Sequence, residues 1–98
     1  MGSPVVLINP FEVPDDEAER FIDAWEEARD YLTDRPGYRT TSLHHSLTPD
    51  AAYPFVNVAE WETPAHFQQA MSSDRFRAIA GAMAGYRSHP ALYRLIRH

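Results

Sequence analysis

The 98-residue sequence contains no cysteine. Disulfide scaffolds, zinc fingers, iron–sulfur clusters, thiolate haem ligation and cysteine nucleophiles are therefore excluded together. Lysine is absent as well, all nine basic residues being arginine. That removes Schiff-base chemistry, pyridoxal-phosphate anchoring and a Walker lysine. With four glycines in the whole chain there is no glycine-rich phosphate loop, and no serine stands in a G-x-S-x-G setting. No apolar run approaches the roughly 20 residues that span a bilayer. The first residues carry neither the basic region nor the apolar stretch of a secretory leader. A soluble protein of the cytoplasm is the expectation, with no membrane partner.

What remains is globular: 44% of residues are apolar and 23% charged. One domain, residues 1–98, is expected, burying roughly 65% of the unfolded chain's surface. A net charge of −5 argues against nucleic acid as a partner, since that requires a basic stripe to displace counterions. The charge is uneven. Residues 1–62 hold thirteen acids and four arginines, whereas residues 63–98 hold one acid and five arginines. An acidic helix face and a basic final third explain this, unless opposite surfaces meet across a homo-oligomer.

The β-branched run Val5-Val6-Leu7-Ile8, closed by Asn9-Pro10, reads as a first strand. Pro14 and Asp15-Asp16-Glu17 announce a helix, with Asp16 as cap and Glu19 as its capping-box partner. Ala18, Phe21, Ile22, Trp25, Ala28 and Leu32 then fall on one face of a 3.6-residue repeat, which ends near Arg35-Pro36-Gly37. Tyr38 to Leu47 and Phe55 to Trp61 form a hairpin across Thr48-Pro49-Asp50. Thr63-Pro64 opens a second helix carrying Phe67, Ala70 and Met71, restarted at Ser73-Asp74 and ended by His89-Pro90. Ala91 to Ile96 closes as a fourth strand. The order β-α-β-β-α-β predicts an α+β, ferredoxin-like fold with a four-stranded antiparallel sheet. Two helices cover one face of such a sheet, so the other is expected to pack on a second copy as a homodimer.

Alternation along the third strand puts Phe55, Asn57, Ala59 and Trp61 on one face. An amide and an indole flanking an alanine is an unusual core filling. Asn9 ends the equivalent face of the first strand, and His45 ends a face of Arg39, Thr41 and Leu43 on the second. If these faces turn toward the helices, a few polar groups converge in an apolar cleft, the usual make-up of a small-molecule site. Turn chemistry for Asn9 and plain core packing for Trp61 are the competing readings. A mid-strand asparagine such as Asn57 is harder to explain without a pocket. His44 and His45 point to opposite faces and no metal-ligand spacing occurs, so no metal site is expected. His66, third in its helix, reads as a cap or surface residue, with a catalytic role as its rival.

Leu7-Ile8-Asn9-Pro10-Phe11-Glu12-Val13-Pro14, Pro36-Gly37-Tyr38, Phe55-Val56-Asn57-Val58-Ala59-Glu60-Trp61-Glu62, Phe67 and His89-Pro90-Ala91-Leu92-Tyr93 together resemble the antibiotic biosynthesis monooxygenase family over nearly the whole chain. The resemblance implies a dimeric α+β barrel with each subunit's pocket between its sheet and helices. One branch oxidises anthrone-like polyketides with O₂ and no cofactor, and its pocket asparagine and tryptophan match Asn57 and Trp61. That branch's helical tyrosine is Phe67 here, beside His66, and its arginine falls at Gly81. A haem-degrading branch has a first-strand asparagine like Asn9, but its tryptophan and axial histidine fall near Ala70 and Ala80.

The resulting expectation is a cofactor-independent monooxygenase acting on a small aromatic phenol or anthrone and O₂. Asn57 would hold the developing oxyanion, and Trp61 and Phe67 would stack on the rings. His45, or failing it His66, would be the base, imidazole titrating nearest neutrality. Asn9 would orient the substrate. The alternatives are a haem or hydrophobic-ligand binder without oxygenase activity, or a structural dimer whose pocket is filled by its own side chains.

Overall fold

The computed structural model describes residues 4–98; Met1, Gly2 and Ser3 of the expected domain lie outside it. Strand β1 (Val5–Glu12) leads through a 3₁₀ turn (Asp15–Glu17) into α1 (Ala18–Leu32). The hairpin β2 (Tyr38–His45) and β3 (Phe55–Trp61) follows, then α2 (Pro64–Met71), α3 (Asp74–Ala80) and a second 3₁₀ turn (Gly81–Met83). Two short strands, β4 (Arg87–Ser88) and β5 (Ala91–Tyr93), complete the regular structure of the described residues. The sheet is antiparallel in the order β2-β3-β1-β4, with β5 also on the free edge of β1. This is the ferredoxin-like arrangement, its fourth strand split in two and its second helix broken at Ser72 and Ser73.

The departures from expectation have local causes. Asn9-Pro10 does not stop β1. Pro10 accepts a hydrogen bond from the His89 backbone N–H at 3.0 Å, and in an antiparallel strand a residue's amide and carbonyl point to the same neighbour. The missing proline N–H therefore faces the break between β4 and β5, where no partner is lost. The capping box does not form: α1 follows a 3₁₀ turn and has no side-chain cap hydrogen bond. Both later helices are capped, the Thr63 hydroxyl accepting from the His66 N–H and the Ser73 hydroxyl from the Phe76 N–H, each at 3.1 Å. β2 ends at His45, and Leu47 is fully exposed. The predicted fourth strand ends at Tyr93, leaving Leu95 and Ile96 exposed.

Alternation in β3 is strict: Phe55, Asn57, Ala59 and Trp61 are buried against the helices. Val56, Val58 and Glu60 look the other way and are half-buried, as are Val6 and Ile8 beside them on β1. A register shift between Tyr38 and Thr40 makes Arg39 the bulge residue of β2. Arg39 consequently leaves the inner face and pairs with Glu60 at 3.1 Å, while Tyr38 turns in to meet the Trp61 ring edge-on.

The core falls into two clusters. Phe11, Val13, Phe21, Trp25 and Phe55 form one; Leu7, Ala59, Trp61 and Ala70 form the other. Phe21 sits centrally in the first, its ring against Phe11, Phe55 and Tyr86. Between the clusters the packing opens.

Candidate active site

The opening is a cleft of about 460 Å³ between the sheet's inner face, α1 and the α2–α3 segment, within the size range of small-molecule sites. Its floor is Leu7, Asn9, Phe11, Thr41 and Asn57; Trp25, Ala28, Arg29 and Leu32 of α1 form one wall. Phe67, Met71, Phe76, Ala80, Met83 and Tyr86 contribute to the other. The lining is mostly apolar.

Asn57 is buried and stands directly opposite Asn9 across β1 and β3, so the two side chains share a face. The Asn57 Oδ1 accepts from Trp25 Nε1 at 3.2 Å and from Thr41 Oγ1 at 2.9 Å. An indole nitrogen can only donate, which fixes the amide's orientation. With both acceptor positions of Oδ1 occupied, the NH₂ of Asn57 is the end left to serve the cleft. The Asn9 Oδ1 is buried without a hydrogen-bond donor. Such an orphaned acceptor is costly in an interior and calls for an occupant. The two amides thus offer a donor and an acceptor side by side on an apolar floor.

The other residues singled out in the sequence divide between the cleft and its surroundings. Phe67 lines the cleft. Trp61 does not: it is 1% exposed, fixed edge-on to Tyr38 and to Phe67 at ring-centroid distances of 5.8 and 6.0 Å. Trp61 therefore supports Phe67 from behind and is kept from a ligand by it. His45 is also outside the cleft, stacked on Phe55 with 4.4 Å between ring centroids, at the mouth of the β2–β3 loop. His66 holds its own helix cap, its Nδ1 lying 2.8 Å from Thr63 Oγ1. Its ring packs so closely on Gly37 that no Cβ would fit there, and Gly37 has φ +84°. Neither histidine reaches the space where a base was expected.

Sequence reasoning overlooked three residues of the site. Trp25 was one apolar tooth of a helical stripe and Thr41 one strand residue among several. Tyr86 belongs to an irregular segment with no period to place it. Among the described residues no group of three or more histidine, aspartate or glutamate side chains is placed to hold a metal ion. No helix there is long and apolar enough to cross a membrane.

The sequence profile of the antibiotic biosynthesis monooxygenase family matches residues 4–82. Among solved structures, a protein of Shewanella loihica PV-4 provisionally classed as a monooxygenase is 43% identical, with a TM-score of 0.83 over 100% of this chain and 99% of that one. SnoaB, a cofactor-independent oxygenase from Streptomyces nogalater, is 21% identical, with a TM-score of 0.86 over 99% of this chain and 97% of its own. At that identity the likeness is one of fold. A dimeric ferredoxin-like protein of unknown function from Thermobifida fusca is 19% identical, with a TM-score of 0.72 over 97% of this chain and 93% of that one. No protein of curated function matches the sequence.

Proposed function

The chain belongs to the antibiotic biosynthesis monooxygenase family, and on that premise we propose that it oxidises a flat, hydroxylated aromatic ketone of anthrone type with O₂ and without a cofactor. The observation that carries this reading is the amide pair. Asn57, its Oδ1 tied down by Trp25 and Thr41, presents donors to an apolar cleft, beside the unsatisfied acceptor of Asn9. A ketone oxygen next to a phenolic hydroxyl matches that pair.

The chemistry needs little from the protein. Once ionised, the substrate gives one electron to O₂; the substrate radical and superoxide combine into a C–O bond. The resulting peroxide takes up a proton and loses water, so anthrone and O₂ become quinone and water. The protein must hold the anion, keep water away and orient the rings. Asn57 donates to the oxygen that carries the negative charge, Asn9 accepts from the neighbouring hydroxyl, and Phe67 packs against the rings. Trp61 acts at one remove, by fixing Phe67. In the haem alternative the iron ligand would have to come from Met71, Met83 or Tyr86, the cleft wall containing no histidine.

We also propose that a second copy of the chain covers the outer sheet face, where Val6, Ile8, Val56 and Val58 are only half-buried.

Asn57→Asp tests the donor. It keeps an oxygen for Trp25 and Thr41 but removes the N–H groups and adds a repelling charge. Oxygen uptake with an anthrone should fall about 10²- to 10³-fold, as when an oxyanion donor is lost elsewhere, with a melting temperature lowered by the buried charge and the fold retained. A folded variant that turns over at the unmodified protein's rate would refute the assignment.

A further inference from the structure

The cleft lacks an evident base. Arg29 and Tyr86 are the titratable residues in its lining. Arg29 is permanently charged and is held by Asp30 at 3.0 Å and Glu26 at 3.9 Å, so it cannot accept a proton. Tyr86 remains. It follows the second 3₁₀ turn, its N–H bonded to the Met83 carbonyl at 3.1 Å and its ring set perpendicular to Phe21. The same ring borders a surface groove between α1 and residues 82–86, so Tyr86 is a partition between cleft and groove. Its hydroxyl donates to Glu17 Oε1 at 2.9 Å, Glu17 itself lining the groove. The Glu17 side chain is 36% exposed and lies 3.6 Å from Arg20.

We propose that Tyr86 and Glu17 form the proton exit of the oxygenation site. This rests on the oxygenase reading and deepens it. The substrate in its enol (anthrol) form gives the enol hydroxyl proton to Tyr86 Oη as the Tyr86 proton passes to the Glu17 carboxylate, breaking one O–H bond and forming another at each end. The substrate is left as its anion, Tyr86 is again a phenol, and protonated Glu17 releases its proton to water. Tyr86 never has to exist as a tyrosinate. Desolvation, followed by the hydrogen bond and charge of Glu17, raises its pKa above the ordinary 10.0, against a smaller lowering by Arg20. It stays protonated at neutral pH and works only as a relay. Asp23 and Glu27 line the same groove and, with Glu17 and Arg20, are the charged groups there; on the cleft side there is Arg29. Tyr86 would be a catalytic residue, touching substrate, and Glu17 the acceptor acting through it.

Oxygen uptake with 1,8-dihydroxyanthrone from about pH 6, above the ordinary carboxylate range, to mildly alkaline pH tests the relay in Tyr86→Phe, Glu17→Gln and the double variant. Glu17→Gln keeps a carbonyl to hold the tyrosine but cannot take the proton. At about pH 6, where a carboxylate is ordinarily ionised, each should lower kcat about 10²-fold, the usual scale of acid–base catalysis, with KM nearly unchanged. The deficit should shrink about tenfold per pH unit as solvent ionises the enol unaided, and the double variant should be no slower than either single one. Rates that match the unmodified protein at every pH, or deficits that stay constant across the range, overturn the relay. If the unmodified protein consumes no oxygen at any pH, the oxygenase reading fails and takes the relay with it. Normal turnover with unaffected variants sinks the relay alone.

Discussion

Asn57 and Trp61 lie four residues apart on the same face of one strand, and their surroundings are opposite. At Trp61 the space between sheet and helices is filled: Leu7, Ala59 and Ala70 surround it, with Tyr38 and Phe67 set edge-on. At Asn57 the helices stand away and leave a cleft floored by two amides. The contrast shows how a small domain combines stability with a site. Its solid clusters lie on either side of the hollow, and the polar groups at the hollow are held by side chains that also belong to the clusters. Trp25 does both, being a member of the Phe21 cluster and the donor to Asn57.

The contrast breaks most sharply at its solid side. Trp61→Ala should destabilise the protein by about 3–5 kcal/mol, the range for removing a large aromatic from a core, as read from denaturant unfolding. Phe67 loses its support with it. A loss below about 1 kcal/mol would mean that the Trp61 end is not the packed region described. The strand's outer side provides the next largest test. Val58→Asp places a charge in the proposed interface, and a buried charge without a partner is strongly unfavourable. Sedimentation should show association weakened by about 10²-fold or more, while the inner face, pointing the other way, keeps its fold. An unmodified protein that sediments as a monomer would remove the interface.

Much of this contrast is visible in the sequence, up to a definite point. The period of two in Phe55 to Trp61 says which residues share a face, and the amide in mid-strand says that something polar is needed there. Neither says how far the helices stand off at each position. That depends on where α2 and Phe67 come to rest, so Asn57 and Trp61 look equivalent in sequence although one lines the cleft and the other is sealed behind its wall. His45 shares the inner face and still misses the cleft, because it lies beyond Phe55 at the loop end. The bulge at Arg39 breaks the period of two outright and sends an arginine to the outer face that simple alternation places inside. Pro10 misleads in the same local way, since its missing N–H matters only if a neighbour needs it. Tyr86 carries no periodic signal at all. Its contact with Glu17, 69 residues earlier in the chain, exists only once the fold has brought the start of α1 beside the segment before β4.

The finest test separates holding the amide from filling the core. Trp25→Phe retains an aromatic ring in the Phe21 cluster but deletes the N–H that reaches Asn57. The Oδ1 then keeps Thr41 as its donor at 2.9 Å, so the acceptor is not orphaned and the stability loss should be about 1 kcal/mol. Turnover should fall more than that loss would suggest, several-fold, because an amide with one restraint instead of two can rotate its NH₂ away from the substrate oxygen, and preorganisation is what makes such a donor effective. Trp61→Phe is the matched control: it trims the solid region and should lower stability with little direct effect on kcat. If the two variants affect unfolding and turnover in the same proportion, Trp25 is merely packing, and the division of labour between the hollow and the solid parts of the sheet disappears.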